Sequence, residues 1–319
     1  MSRPIDAALS QDRPAKRAIR RLWLAEVRQY EGSEGPLYLT LPGAEGKDIE
    51  LLISEGVVAT TATGAIAASD IGKVVAVESN SEAVLALQRK FPGLRIHDSP
   101  LENIMSGGGS FSWPRSDIQK DMRAKVVNID LDKSLRVECN GDVSFPLIRI
   151  IKKISQLHHE RPDGEQAQPW SLCVTVNSTV NWPKAAIQFF FRFLADNCLH
   201  HPTFKDSAVN VLGEALVDRI VAKHATMTFT DLNAKLQKRL LCIFLPKLIL
   251  SELNDHHWEA QQCFSLSYGG NNGHAAMTTV TLRFNVSDAA VPSHRYSSNI
   301  LRIFPGLGCV EDDGQIALG

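Results

Sequence analysis

Two stretches near the amino end restrict the possible folds most. Pro36 to Leu52 reads as a strand, a glycine-containing turn and the start of a helix, and Gly72 to Asn80 reads as a second strand that ends on Glu78. A buried parallel strand that runs into such a turn and opens a helix leaves backbone N–H groups at its carboxyl end, and an acid ending the next strand can accept hydrogen bonds from a ribose. The pair therefore predicts a parallel sheet with a nucleoside-cofactor pocket at its strand ends.

The same alternation continues along the chain. Strands are expected at about 36–42, 73–78, 94–97, 125–131 and 171–177, with helices at about 46–56, 80–91, 100–105 and 143–158, the pattern of a parallel sheet covered on both faces. Ser106–Ser110 and Arg161–Glu165 punctuate it as loops. Before it, Pro14 to Tyr30 sets Ile19, Leu22, Leu24 and Val27 among Arg17, Arg20, Arg21 and Arg28, which suits an amphipathic helix beginning at Pro14. After it, residues 184–250 are mostly helical, with Pro246 expected to kink or end the last helix. Gln262–Tyr268 and Val280–Val286 then alternate apolar and polar residues around Gly269–Gly273, the signature of an antiparallel hairpin, and residues 287–319 read as an irregular tail. The expected organisation is a helical extension at 1–33, an α/β core at 34–183 and 259–287, a helical insertion at 184–258 that serves as a lid or interaction surface, and a tail at 288–319.

Bulk properties narrow the function classes. A formal net charge of -1 gives no global electrostatic reason to bind nucleic acid or an anionic membrane, so any such case must rest on local patches. Cysteines at 139, 173, 198, 242, 263 and 309 have no CxxC spacing and are expected to be structural thiols. No apolar run approaches the ~20 residues of a membrane span, and Met1–Asp6 lacks a signal core, so a cytoplasmic protein without membrane attachment is expected.

Strand-helix alternation closed by a terminal hairpin resembles the class I S-adenosylmethionine-dependent methyltransferases. That resemblance covers roughly residues 34–287 and implies a Rossmann-like, seven-stranded, mostly parallel sheet with an antiparallel carboxyl-terminal hairpin and S-adenosyl-L-methionine as cofactor. In that family the first strand ends in an acid-x-Gly-x-Gly-x-Gly turn. Here the matching stretch is Leu41-Pro-Gly-Ala-Glu-Gly46: Gly43 fits the first glycine, Leu41 stands in place of the acid, and Glu45 in place of the second glycine. The resemblance assigns Gly43, Ala44, Glu45 and Gly46 to the cofactor, with Glu78 and Ser79 at the ribose and Asp98 and Ser99 at the adenine. Helix capping is the competing role for Glu78, Asp98 and Ser99.

The fourth strand, Lys125 to Asp132, ends where such enzymes face the methyl group. It carries Asn128, Asp130 and Asp132 at alternate positions, which fall on one face of a strand and need polar partners there. The fifth strand closes with a polar cluster beginning at Asn177. Asp130 is the candidate to orient or deprotonate an acceptor, and Asn128 and Asn177 to position it. The acceptor is not readable from the sequence; Arg17, Arg20, Arg21, Arg28, Lys235, Lys238 and Arg239 are the basic residues a nucleic acid would use, while the helical insertion suits a protein partner or a second copy. The pairs His158–His159, His200–His201 and His256–His257 are expected at solvated helix ends, and no metal is assigned. The alternative to methyl transfer is a catalytically silent fold of this type acting as a binding or assembly module, motivated by Leu41, Glu45 and the insertion. A nicotinamide oxidoreductase would need the tight GxGxxG turn that Gly43–Gly46 does not supply.

Overall fold

The structure, a computed structural model, describes residues 13–106, 116–135, 138–140, 142–160, 166–178, 183–229, 232–253, 258–269, 276–286, 307–311 and 313–318. The expected loops at 107–110 and 161–165, most of the hairpin turn, the His256–His257 pair and residues 287–306 of the tail lie outside them. In chain order the strands are β1 (Tyr38–Thr40), β2 (Val74–Glu78), β3 (Arg95–Asp98), β4 (Val126–Ser134), β5 (Glu138–Asn140), β6 (Asp142–Ser144), β7 (Trp170–Asn177), β8 (Trp258–Gly269), β9 (Ala276–Val286), β10 (Leu307–Val310) and β11 (Ile316–Leu318). The helices are α1 (Pro14–Arg28), α2 (Lys47–Ser54), α3 (Ser81–Lys90), α4 (Leu101–Ser106), α5 (Ser116–Met122), α6 (Pro146–His159), α7 (Lys184–His200), α8 (Pro202–Leu212), α9 (Glu214–Lys223) and α10 (Ala234–Leu253). The chain is an α/β protein that divides into two compact units, Met1–Leu131 with Lys153–Val174, and Asp132–Lys152 with Thr175–Gly319.

In the first unit the strand order is β3-β2-β1-β4-β7, β7 contributing its first five residues. The β1–β2, β2–β3 and β1–β4 pairs are parallel. Val74–Val77 is buried at every position, as a strand covered by helices on both faces must be. The register aligns the strand ends that matter: Glu78 pairs with Asp98, and Thr40 with Asn128. α1 begins with Pro14, where a missing N–H costs nothing, and buries Ala15, Ile19, Trp23, Leu24 and Val27. Short α5 had no counterpart in the expected pattern.

The second unit holds the hairpin. β8 and β9 pair antiparallel from Trp258↔Val286 to Gly269↔Ala276, with an irregularity between Ala260 and Gln262. β9 lies beside the end of β7, where the Thr175 hydroxyl donates to Thr279 Oγ1 at 2.9 Å and Ser178 N–H donates to the Ala276 carbonyl at 2.7 Å. Alternation in β9 does not mark a wet face: Thr278, Thr279 and Thr281 are all buried. The expected irregular tail is corrected, since β10 runs parallel to β8 and pairs antiparallel with β11. Leu307 and Val310 bury their side chains there, and the strands exceed the seven expected. Of the two outcomes expected at Pro246, ending the helix does not occur: α10 continues through it to Leu253. Leu240–Leu245 and Leu248–Leu250 are buried throughout, and burial of that extent outweighs the ~3 kcal/mol that an interior proline costs. Phe189, Phe190 and Phe193 of α7 meet Phe244 of α10 at ring separations of 4.4–6.5 Å.

Candidate functional site at the strand ends of the first unit

The turn after β1 is set by two left-handed glycines, Gly43 at φ 59° and Gly46 at φ 54°. Gly43 and Ala44 are exposed, and Gly46 is buried as the residue that opens α2. A Cβ on Gly46 would stand 2.7 Å from Phe91 Cε2 and 2.9 Å from Leu87 Cδ2, so close packing against α3 as well as φ demands glycine. Lys90 donates to the Glu45 carbonyl at 2.5 Å and pairs with Glu50 at 2.6 Å, which ties the turn to α3.

Beneath this turn runs a buried polar chain. Asn128 Nδ2 donates to the Tyr38 hydroxyl at 2.7 Å, and that hydroxyl donates to Asp48 Oδ2 at 3.0 Å. The Thr40 hydroxyl also donates to Asp48 Oδ2, and the Ile49 N–H to Asp48 Oδ1 at 3.0 Å. Burial, and next the Asp48 carboxylate, push the Tyr38 phenol well above its ordinary value, so it remains a donor. Because its one proton goes to Asp48, Tyr38 can only accept from Asn128. That fixes the Asn128 amide with its oxygen turned away, and this fully buried oxygen has no hydrogen-bond partner among the described residues.

Two positions further along β4, Asp130 is bridged by Lys16 of α1, whose Nζ lies 2.7 Å from Oδ1 and 2.5 Å from Oδ2. The same ammonium sits 5.2 Å from the centre of the Trp23 ring. Pairing of β4 with β1 stops at Asn128, so Asp130 lies past the end of that ladder, as its charge requires. A small recess adjoins the chain, lined among others by Arg20, Trp23, Tyr38, Asp48 and Leu52.

Glu78 is half-buried at the end of β2, and its Oε1 accepts the Asn80 N–H at 2.8 Å. It does not cap α3: that role belongs to Asn80, whose Oδ1 accepts from Glu82 N–H at 2.9 Å and Ala83 N–H at 3.1 Å. Ser79 is exposed, as is Asp98 at the neighbouring strand end, while Ser99 is half-buried with its N–H on the His97 carbonyl at 3.0 Å. The structure thus brings Asn128 and Asp130 onto one face of β4 and puts Glu78 beside Asp98. Asn177 ends β7 in the second unit.

Sequence reasoning missed Tyr38, Thr40, Asp48 and Lys16. Tyr38 and Thr40 are two apart on a short buried strand, and a polar atom at alternate positions was the available signal. One histidine expectation is corrected: His158 is 1% exposed and stacks on Trp170 at 4.4 Å and 6°, because α6 turns that position inward. Cys173, Cys198 and Cys242 are buried free thiols, and burial pushes Cys242 up to about 12. Among the described residues no group of three or more His, Cys, Asp or Glu could hold a metal ion, and no helix is long and apolar enough to cross a membrane. Neither protein-family models nor curated proteins match this chain.

Proposed function

We propose that the chain is an S-adenosylmethionine-dependent methyltransferase whose site is the strand-end edge of β1, β2, β3 and β4. One observation carries the proposal: in the order β3-β2-β1-β4-β7 the first four strands are parallel, β1 runs into a positive-φ glycine turn, and Glu78 and Asp98 stand side by side at adjacent strand ends. In open α/β sheets, ligands gather where the strand order reverses, here beside β1. The residues fit the cofactor: Gly43 and Gly46 let backbone approach closely, and Glu78 keeps one carboxylate oxygen without a partner among the described residues, available to a ribose hydroxyl. Asp98 is exposed beside it for the adenine. The recess next to Tyr38 and Asp48, about 10 Å³, is the size of a single water and far below the ~300 Å³ at which pockets for whole ligands begin, so the nucleoside end belongs on the open edge.

When bound, the cofactor supplies an electrophilic methyl group for direct in-line displacement. The protein's own part is to hold the acceptor and exclude water. Asp130 orients the acceptor or takes its proton once Lys16 yields it, while Asn128, fully buried, supports the edge from beneath through Tyr38. Asn177 is proposed to help position the acceptor.

Isothermal titration with S-adenosylmethionine tests this. Binding by the wild-type chain is expected, with a Glu78→Ala variant weakened about 10- to 100-fold, the effect of losing charge-assisted hydrogen bonds worth about 1.5–3 kcal/mol. No heat of binding at millimolar cofactor would reject the proposal.

A further inference from the structure

The ammonium of Lys16 occupies a place built for a cation. Its Nζ lies 2.7 Å from Asp130 Oδ1 and 2.5 Å from Oδ2, so one carboxylate grips it with both oxygens. It also stands 5.2 Å from the centre of the Trp23 ring, within the ~6 Å over which an aromatic face attracts positive charge. Trp23 is 2% exposed, and the Lys16 and Asp130 side chains 19% and 21%, so water screens neither attraction fully. Among the described residues Lys16 is the one partner of Asp130. The pair of Lys90 with Glu50 is of another kind: those side chains are 34% and 38% exposed, Glu50 is shared with Lys47, and Lys90 also holds the Glu45 carbonyl.

This clamp stands at the candidate site. Asp130 lies past the end of the β1–β4 ladder, on the strand-end edge, and the lysine that meets it comes from the first turn of α1. The cap residue of that turn, Arg13, makes no side-chain cap bond, and no acid there meets the helix dipole. Further along, Ile19, Trp23 and Val27 are buried and anchor the helix. The ammonium can therefore leave by fraying of one turn while the indole face stays in place.

From this we infer that the methyl acceptor is a primary amine on a flexible alkyl stem, the group Lys16 itself presents, and that Lys16 fills the acceptor's place until it arrives. The inference rests on the methyltransferase reading of the site. A carboxylate facing an indole selects positive charge, and a hydroxyl or thiol acceptor brings none for either group to attract. The acceptor enters as an ammonium and gives one proton to Asp130, from which water takes it. The freed lone pair of the nitrogen forms the bond to the methyl carbon as the S–C pair returns to sulfur, which leaves a neutral thioether. The product is a secondary ammonium, still cationic, and one proton has passed to solvent.

Titration of the full chain with n-butylammonium, followed through the indole N–H resonances without cofactor present, tests the site. Lys16→Ala should bind this probe and shift the Trp23 resonance, assigned with Trp23→Phe. Wild type, its site filled roughly nine-tenths of the time or more, should bind about tenfold more weakly. Lys16→Ala/Asp130→Asn should lose binding, and n-butanol should bind no form. Thermal melts should show the variants folded, and Lys16→Gln replaces the alanine variant if that one is not. A second measurement gives wild type methyl-labelled S-adenosylmethionine with a lysine-bearing peptide, n-butylamine or n-butanol. Label on an amine is expected: on the peptide alone it marks a protein lysine as the source, on n-butylamine a free amine. No n-butylammonium binding by the folded Lys16 variant, equal binding by wild type, or equal binding after Asp130→Asn would overturn the inference. So would label on the alcohol, or on neither amine in a chain that binds cofactor. Binding of n-butylammonium by a chain that takes up no S-adenosylmethionine would reject the methyltransferase reading alone.

Discussion

At the residue scale, the two glycines of the first turn separate backbone strain from packing. Gly43 has open space where a Cβ would go, whereas Gly46 faces Phe91 and Leu87. Gly43→Ala should cost about 1–2 kcal/mol, the left-handed penalty alone. Gly46→Ala should cost about 1–3 kcal/mol more through overpacking; urea melts of both variants check the order, and equal losses would contradict it. Lys247 supplies a pH signature. It is 1% exposed inside α10 with its Nζ 5.4 Å from the Phe193 ring centre, and burial lowers its pKa from 10.5 to about 7. Between those values the unfolded chain binds more protons than the folded one, so this group makes stability rise with pH, by at most about 1.4 kcal/mol per unit. Lys247→Met should therefore stabilise the protein, more at pH 7 than at pH 9. Denaturant midpoints at the two pH values measure it, and a gain that does not shrink on raising the pH would count against a buried neutral amine.

At the element scale, the first unit was legible wherever period and punctuation agreed. β2, β3 and α3 fell within a residue or two of expectation: β2 because a buried parallel strand is a short unbroken apolar run, α3 because Asn80 announces it, and β3 because it follows α3 after the Pro92-Gly93 turn. α10 was legible through Leu250, and Pro246 does not end it because residues 240–250 are buried along its length. β10 was missed because Leu-Gly-Cys-Val is too short and too rich in small residues to declare itself without its partner β8. At the site, Glu78 and Asp98 were visible because each ends its strand. The Asn128–Tyr38–Asp48 chain was not: its members are brought together by the β1–β4 register and by the entry of α2, neither of which a linear pattern encodes.

At the scale of the whole molecule, the two units are each assembled from separated lengths of chain. The backbone crosses between them at Leu131–Asp132, Lys152–Lys153 and Val174–Thr175. Each crossing falls inside a regular element, namely β4, α6 and β7, and not in a linker. A chain stopped at residue 131 would lack β7, so it should give a poorly dispersed spectrum of amide resonances, while the full chain gives a dispersed one. A well-dispersed spectrum from the fragment would show that the first unit closes without it. For the intact protein the consequence is mechanical. A strand shared by two units cannot fray in one and stay extended in the other, so loss of order should spread along the backbone itself, and heating should yield one calorimetric peak where separable modules would yield two.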